Sequence, residues 1–239
     1  MTIVIVLMLC IASLALAEKE STLEIGQFSS SREGTTIPTG WKPLTFKKIR
    51  QHTQYEVVKE GGTLVMRAIS EAAASGLTRE VQIDPREYSV VRWRWKVENL
   101  LKHSDVHRKD GDDYPARLYI TFAYDADKVS FAKKLKYQAG RVLFGDIPIA
   151  ALNYIWDATT PIGTIVDNVY TDFARMIVVE SGPTRIGEWL NEERNVYEDY
   201  KRAFAGEPPM INGVAIMSDT DNTGERVTAF YGDITFVKR

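Results

Sequence analysis

The sequence predicts a mainly β protein: an antiparallel two-sheet β-sandwich of jelly-roll type with two inserted α-helices. Three observations carry that prediction. Apolar and polar residues alternate with period two in several segments, which puts each set on its own face of a strand. Strand-like segments occupy both ends of the chain. Only two segments read as helices, and a parallel α/β sheet would need regular strand–helix alternation.

The first element is a leader. Residues 1–17 carry no charge, and Ala15-Leu16-Ala17 fits the small-x-small cleavage pattern just ahead of Glu18. This reads as a signal peptide, although no Lys or Arg precedes its apolar run. Cleavage leaves residues 18–239 as a single domain that is periplasmic or secreted. It also removes Cys10, the sole cysteine, so neither disulfide nor thiol chemistry is expected in the mature chain. No later stretch reads as a membrane span, because Gly145, Asp146 and Pro148 interrupt the apolar run at 142–156.

The strands follow in order. Leu64 to Ile69 is a short apolar run between turn signals. Val91, Trp93, Trp95 and Val97 alternate with Arg92, Arg94 and Lys96. Leu118, Ile120, Phe122 and Tyr124 alternate with Arg117, Tyr119, Thr121 and Ala123. Met176 to Val179 is rich in strand formers, and Gly213 to Met217 and Val227 to Val237 close the chain. In the last strand, Phe230, Ile234 and Phe236 share one predicted face and Tyr231, Asp233 and Thr235 the other. The helices are expected at 127–143, with Phe131, Leu135 and Val142 on one side, and at 188–204, with Trp189, Val196, Tyr200 and Ala203 as a stripe.

The charge balance narrows the function. Lys and Arg total 30 against 32 Asp and Glu, a net charge of −2. General nucleic-acid binding needs a basic excess and is not expected. If the strands carrying Arg94 and Arg117 pair directly, then Arg92, Arg94, Lys96, Arg117 and Tyr119 share one face. That face would suit a glycan or an anionic polar ligand, since arginine offers several fixed donors and tyrosine a flat amphipathic wall. A solvated outer face with internal salt bridges is the alternative, and polar outer faces are the rule for antiparallel sheets.

Two acidic loops flank this face. One carries Asp105, Asp110, Asp112 and Asp113; the other carries Asp219, Asp221, Asn222 and Glu225. Both offer the hard oxygens that calcium takes, so a structural calcium is a candidate cofactor. The second loop is no EF-hand, because Phe230 stands where the bidentate glutamate belongs. Polar turns bonded to their own backbone are the alternative. His103 and His107 lie in a polar loop without helical periodicity and make a poor metal pair. Carboxylates such as Asp112 or Asp113 opposite Glu192, Glu193 or Asp199 would suit acid–base cleavage of a glycosidic bond. Trp41, Trp156 and Trp189 could stack on sugars, while alternation favours core positions for Trp93, Trp95 and Trp189.

Several stretches carry a family resemblance: Thr53-Gln54-Tyr55, Ala74-Ser75-Gly76-Leu77, Trp93-Arg94-Trp95-Lys96-Val97, Gly111-Asp112-Asp113-Tyr114-Pro115-Ala116-Arg117-Leu118-Tyr119 and Tyr154-Ile155-Trp156-Asp157. To these add Trp189, Glu192-Glu193-Arg194-Asn195-Val196, Asp199-Tyr200, Asp219-Thr220-Asp221-Asn222-Thr223-Gly224 and Tyr231-Gly232-Asp233-Ile234. Together they resemble the secreted bacterial family of domain of unknown function 3047 over nearly the whole mature chain. That resemblance implies no catalytic residue. It implies that the charged motif residues form one buried polar network or one site. The last stretch also resembles the closing strand of jelly-roll carbohydrate-binding modules, where an acid near Asp233 helps hold a structural calcium.

The sequence therefore points to an exported protein that binds a glycan or other polar envelope ligand. Its candidate ligand residues are Arg94, Arg117, Tyr119, Asp112, Asp113, Arg194, Asp219, Asp221 and Asn222, with Asp233 as a candidate calcium ligand. A glycan-cleaving enzyme and a non-catalytic structural envelope protein are the alternatives.

Overall fold

The computed structural model describes residues 21–123 and 150–239. The leader and the helix expected at 127–143 lie outside the described residues.

Thirteen strands and one α-helix make up the described fold. In chain order they are β1 (Thr22–Gly26), β2 (Lys42–Leu44), β3 (Gln54–Glu60), β4 (Thr63–Glu71), β5 (Ala74–Ile83), β6 (Val90–Val97) and β7 (Arg117–Phe122). Then come β8 (Ala150–Asp157), β9 (Ile165–Asn168), β10 (Thr171–Ser181), β11 (Leu190–Asn195), α1 (Val196–Phe204), β12 (Ile211–Asp219) and β13 (Arg226–Val237). A six-stranded sheet has the order β11-β6-β13-β4-β3, with β1 also paired to β13. A seven-stranded sheet has the order β2-β5-β12-β7-β8-β10-β9. The pairing is antiparallel except between β8 and β10, which run parallel; the all-antiparallel expectation is corrected there.

The period-two pattern explains which faces meet. Val91, Trp93, Trp95 and Val97 of β6 and Leu118, Ile120 and Phe122 of β7 enter one buried cluster shared by both sheets. An aromatic chain crosses it: Trp93 stacks on Tyr154 at 5.3 Å, Trp93 meets Trp95 edge-on at 5.4 Å, and Trp95 reaches Trp156 at 6.3 Å. Each such ring contributes roughly 4–6 kcal/mol of gross burial, before side-chain entropy is subtracted.

The second expected helix is half right. Residues 190–195 form β11 against β6, with Leu190 opposite Trp95 and Arg194 opposite Val91. The helix starts only at Val196, where the Asn195 side chain accepts from the Glu198 amide as its N-cap. It ends at Ala205, which takes the left-handed conformation at φ 53°. Tyr200 packs on Phe122 at 4.6 Å and fixes α1 to β7. Trp189, expected in the helix stripe and the core, instead precedes β11, half-buried.

In β13 a register shift between Tyr231 and Ile234 changes the expected faces. Tyr231, Ile234 and Phe236 all enter the core cluster, and Phe230 lies outside it against Trp189 and Lys96. A bulge adds a residue to one strand and so breaks strict alternation. Among the described residues, no helix is long and apolar enough to cross a membrane.

Candidate functional site

The expected five-residue face does not exist. β6 lies between β11 and β13 in one sheet, and β7 lies between β12 and β8 in the other. Trp93 and Trp95 turn inward, as do Leu118 and Ile120. Arg92, Arg94 and Lys96 therefore line the outer side of the six-stranded sheet, while Arg117 and Tyr119 line the outer side of the seven-stranded one. The physical reason is the long connection at 98–116, which lets the chain cross between layers instead of turning back as a hairpin. Arg94 and Arg117 belong to two separate places.

Arg117 sits in a closed network. It is 2% exposed. Its Nε donates to Asp219 Oδ1 at 2.7 Å, and one Nη donates to the other oxygen of Asp219 and to the Asp112 carbonyl, the latter at 2.6 Å. The other Nη donates to the Tyr119 hydroxyl at 3.1 Å and lies 3.8 Å from Asp112 Oδ1. The Tyr114 ring covers the guanidinium at 4.3 Å. Burial works against its charge, but Asp219, Tyr119 and Asp112 outweigh it and hold the guanidinium pKa above the ordinary arginine value. Burial pushes the carboxyls of Asp112 and Asp113 up, and Arg117 pulls both back only in part.

The same network joins the two acidic loops. Asp113 accepts from the amides of Asn222 at 3.0 Å and Thr223 at 2.6 Å. Glu225 accepts from the amides of Lys102 and His103, both at 3.0 Å, and from His103 Nδ1 at 3.0 Å. The Tyr170 hydroxyl lies 2.7 Å from the Lys109 carbonyl and 2.6 Å from Asn222 Oδ1. Asp113, Asp219 and Asp221 bring one oxygen each to within 4.8 Å of one another, a spacing that a cation could bridge. Asp233 does not join them.

Asp233 lies with Arg94 on the opposite outer side. A groove of about 360 Å³ there is bordered by Arg92, Arg94, Asn191, Glu193, Asp233 and Thr235. Asp233 accepts from the Ser29 amide at 2.9 Å and from the Ser29 hydroxyl. Three of the cations on this sheet face have carboxylates: Arg92 donates to Glu193 at 2.6 Å, Arg67 to Glu56 at 2.7 Å, and Lys96 to Glu60. Arg94 differs. Its guanidinium lies over the Trp189 ring at 4.6 Å and, among the described residues, makes no hydrogen bond or ion pair. Gly232 makes this possible, since a methyl group there would overlap Cγ and Nε of Arg94.

Arg194 belongs to neither place. It holds Asp199 with two bonds of 2.9 and 2.6 Å, and the Tyr154 hydroxyl donates to the same carboxylate at 3.0 Å. This ties α1 to both sheets. The expected carboxylate pairs also separate: Asp112 and Asp113 serve the loop network, Glu193 serves Arg92, and Asp199 serves Arg194. The acids that influence each other are Glu180 and Glu192, and Trp95 Nε1 donates to Glu192 at 3.1 Å. Burial, then the charge of Glu180, pushes Glu192 up to about 7.

Residues 39–235 match the family described as protein of unknown function DUF3047. The chain belongs to this family. The expected resemblance is thus established, and both the Arg94 groove and the Arg117 network lie within the matched residues. No curated protein matches the chain. Among solved structures, it is similar to a family 11 carbohydrate-binding module from Clostridium thermocellum in complex with a β-1,3-1,4-mixed-linked tetrasaccharide. That match has 7% identity and a TM-score of 0.43, covering 91% of this chain and 95% of the other. The family 11 module of the cellulosomal cellulase Lic26A-Cel5E of the same organism is similar at 8% identity and a TM-score of 0.42, covering 92% and 95%.

Sequence reasoning missed Trp189 as the partner of Arg94, Glu180 as the partner of Glu192, and Gly232 as the space that Arg94 needs. Gly232 was the readable signal: a glycine inside an otherwise strong strand pattern marks a bulge or a close approach.

Proposed function

We propose that this protein is an exported binding protein that holds a glycan, or another polar envelope ligand, in the groove on the outer side of the six-stranded sheet. One observation carries the reading: Arg94 rests on Trp189 at 4.6 Å beside the groove without a carboxylate partner among the described residues. A cation that is held in place but uncompensated is a ready donor to a ligand. Asn191 and Thr235 add further polar groups along the same groove.

The test is a glycan array followed by calorimetric titration. Arg94→Ala and Trp189→Ala should each weaken binding at least tenfold while changing the melting temperature little, as is usual for surface substitutions. Unchanged affinity in both variants would remove the groove as the site. Of the other sequence candidates, Arg117, Tyr119, Asp112, Asp113, Asp219, Asp221 and Asn222 act in this reading as the scaffold of the loops. Arg194 fastens α1. A calcium ion shared by Asp113, Asp219 and Asp221 is the second part of the proposal. Export rests on the uncharged leader, and the envelope form of the protein should begin at Glu18 by mass. Glycan cleavage is the weaker reading, because the acids expected to pair are taken by other partners: Asp113 by amides, Glu193 by Arg92 and Asp199 by Arg194.

A further inference from the structure

The geometry points to an acidic glycan as the ligand of this groove, with the sugar's carboxylate or sulfate read by the in-plane edge of Arg94. This deepens the reading above and depends on it.

The argument starts from how a guanidinium can be used. Its flat face attracts an aromatic ring, and its five N–H donors all lie in the plane, pointing away from that ring. Stacking therefore uses the face and leaves the edge. The Arg94 guanidinium centre lies over the Trp189 ring at 4.6 Å from its centroid, within the range of such a contact, and no described residue hydrogen-bonds to its N–H groups.

The acids around the groove are already engaged. Glu193 accepts from Arg92 and from Arg239. Asp233 accepts two bonds from Ser29. Glu192 turns its carboxyl to Trp95. None of them turns to Arg94, although all three border the same groove. Elsewhere this protein matches a guanidinium edge with an acid: Arg194 takes both oxygens of Asp199, and Arg117 both oxygens of Asp219. Arg94 has no such acid among the described residues, and it is held rather than loose. Gly232 gives its stem room, and the guanidinium rests over the Trp189 ring. A preset edge costs little ordering when an anion docks.

A neutral sugar would accept hydrogen bonds here but leave the charge unmet. A uronate or a sulfate ester supplies two coplanar or near-coplanar acceptor oxygens and the missing charge together.

The experiment compares oligogalacturonate with the same chain after its carboxyl groups are reduced to alcohols, beside a sulfated galactan and its desulfated form. Calorimetry at low and moderate salt is the readout. The wild-type protein should bind an acidic chain at least tenfold more tightly than its neutral counterpart, and salt should erode that preference. The uronate and sulfate arms distinguish the source of the charge. Arg94→Gln should abolish the preference while leaving the weak affinity for neutral chains. Gly232→Ala should do the same by displacing the Arg94 stem, with melting curves confirming the fold of both variants. Equal binding of acidic and neutral chains, or a preference that survives both substitutions, overturns the acidic-ligand inference and leaves glycan binding standing. No binding of any chain overturns both.

Discussion

Two arginines on strands that are neighbours in sequence end on opposite outer sides of the sandwich, in opposite electrostatic situations. Arg117 is buried and surrounded by acceptors: Asp219 on one edge, the Asp112 carbonyl and the Tyr119 hydroxyl on the rest, and the Tyr114 ring across its face. Arg94 lies over the Trp189 ring, and among the described residues nothing hydrogen-bonds to it. The same side chain thus serves as an internal fastener in one place and as an exposed reader in the other. The difference teaches that a charged residue in a family motif is not by itself a sign of binding. What separates the two is whether the donors are already used.

The sharpest way to break this comparison is Arg117→Ala. Removing one partner of a buried, hydrogen-bonded ion pair strands the other, at a cost of about 3–5 kcal/mol. Asp219 would be left at 3% exposure without its cation, and the Asp112 carbonyl would lose its donor. Urea unfolding should show a midpoint far below that of the wild type, and Arg117→Met should recover little. A variant that instead kept its stability would make Arg117 as dispensable to folding as Arg94, and the contrast between them would collapse.

The faces of the strands were legible in the residues, and the layers were not. Alternation at 91–97 and 117–122 predicted which side chains turn inward, and Trp93, Trp95, Leu118, Ile120 and Phe122 do so. Alternation carries no information about which sheet a strand joins, and an acidic connection of this length could return or cross. At 188–195 the Glu-rich composition favours helix locally, yet pairing with β6 overrides it, as tertiary contacts commonly do. The Val196 and Tyr200 part of the helix stripe was legible because it depends on local spacing alone, whereas the Asn195 cap was hidden inside the longer helix expected there. The union of Asp113 with the amides of Asn222 and Thr223 depends on contacts more than a hundred positions apart, which no local pattern encodes.

A second prediction sharpens the comparison from beneath the groove. Glu192 borders the groove, and its carboxyl is raised from 4.5 to about 7 by burial, then by the charge of Glu180. Glu180 is raised as well, by burial. An acid with a raised folded pKa makes the folded state the stronger proton binder. Stability from this pair is therefore full below about pH 4.5 and is lost as the pH climbs towards 7. Glu192→Gln should flatten the melting curve across that window and gain a few degrees at pH 8, where the wild type carries the repulsion. Melting temperatures that fall in parallel for both proteins between pH 5 and 8 would show that the pair does not control the seam.

The smallest expected effect concerns calcium. Asp112, Asp113 and Asp219 are all buried, among the described residues Arg117 pairs with Asp112 and Asp219 only, and Asp221 stands near Asp113 and Asp219. That excess of negative charge favours a cation, but the oxygens of Asp219 already face Arg117 and those of Asp113 already take amides. An added ion must share acceptors that have other partners, so the gain should be modest. At ten times its dissociation constant, calcium would add about 1.4 kcal/mol, or roughly 3–5 °C for a domain of this size. The check is a melting series with millimolar calcium against chelator, repeated in Asp221→Asn. A calcium shift that Asp221→Asn removes would give the loop network two fasteners of different chemistry. The absence of a shift would leave Arg117 as the cation that joins the loops, and would deepen its difference from Arg94.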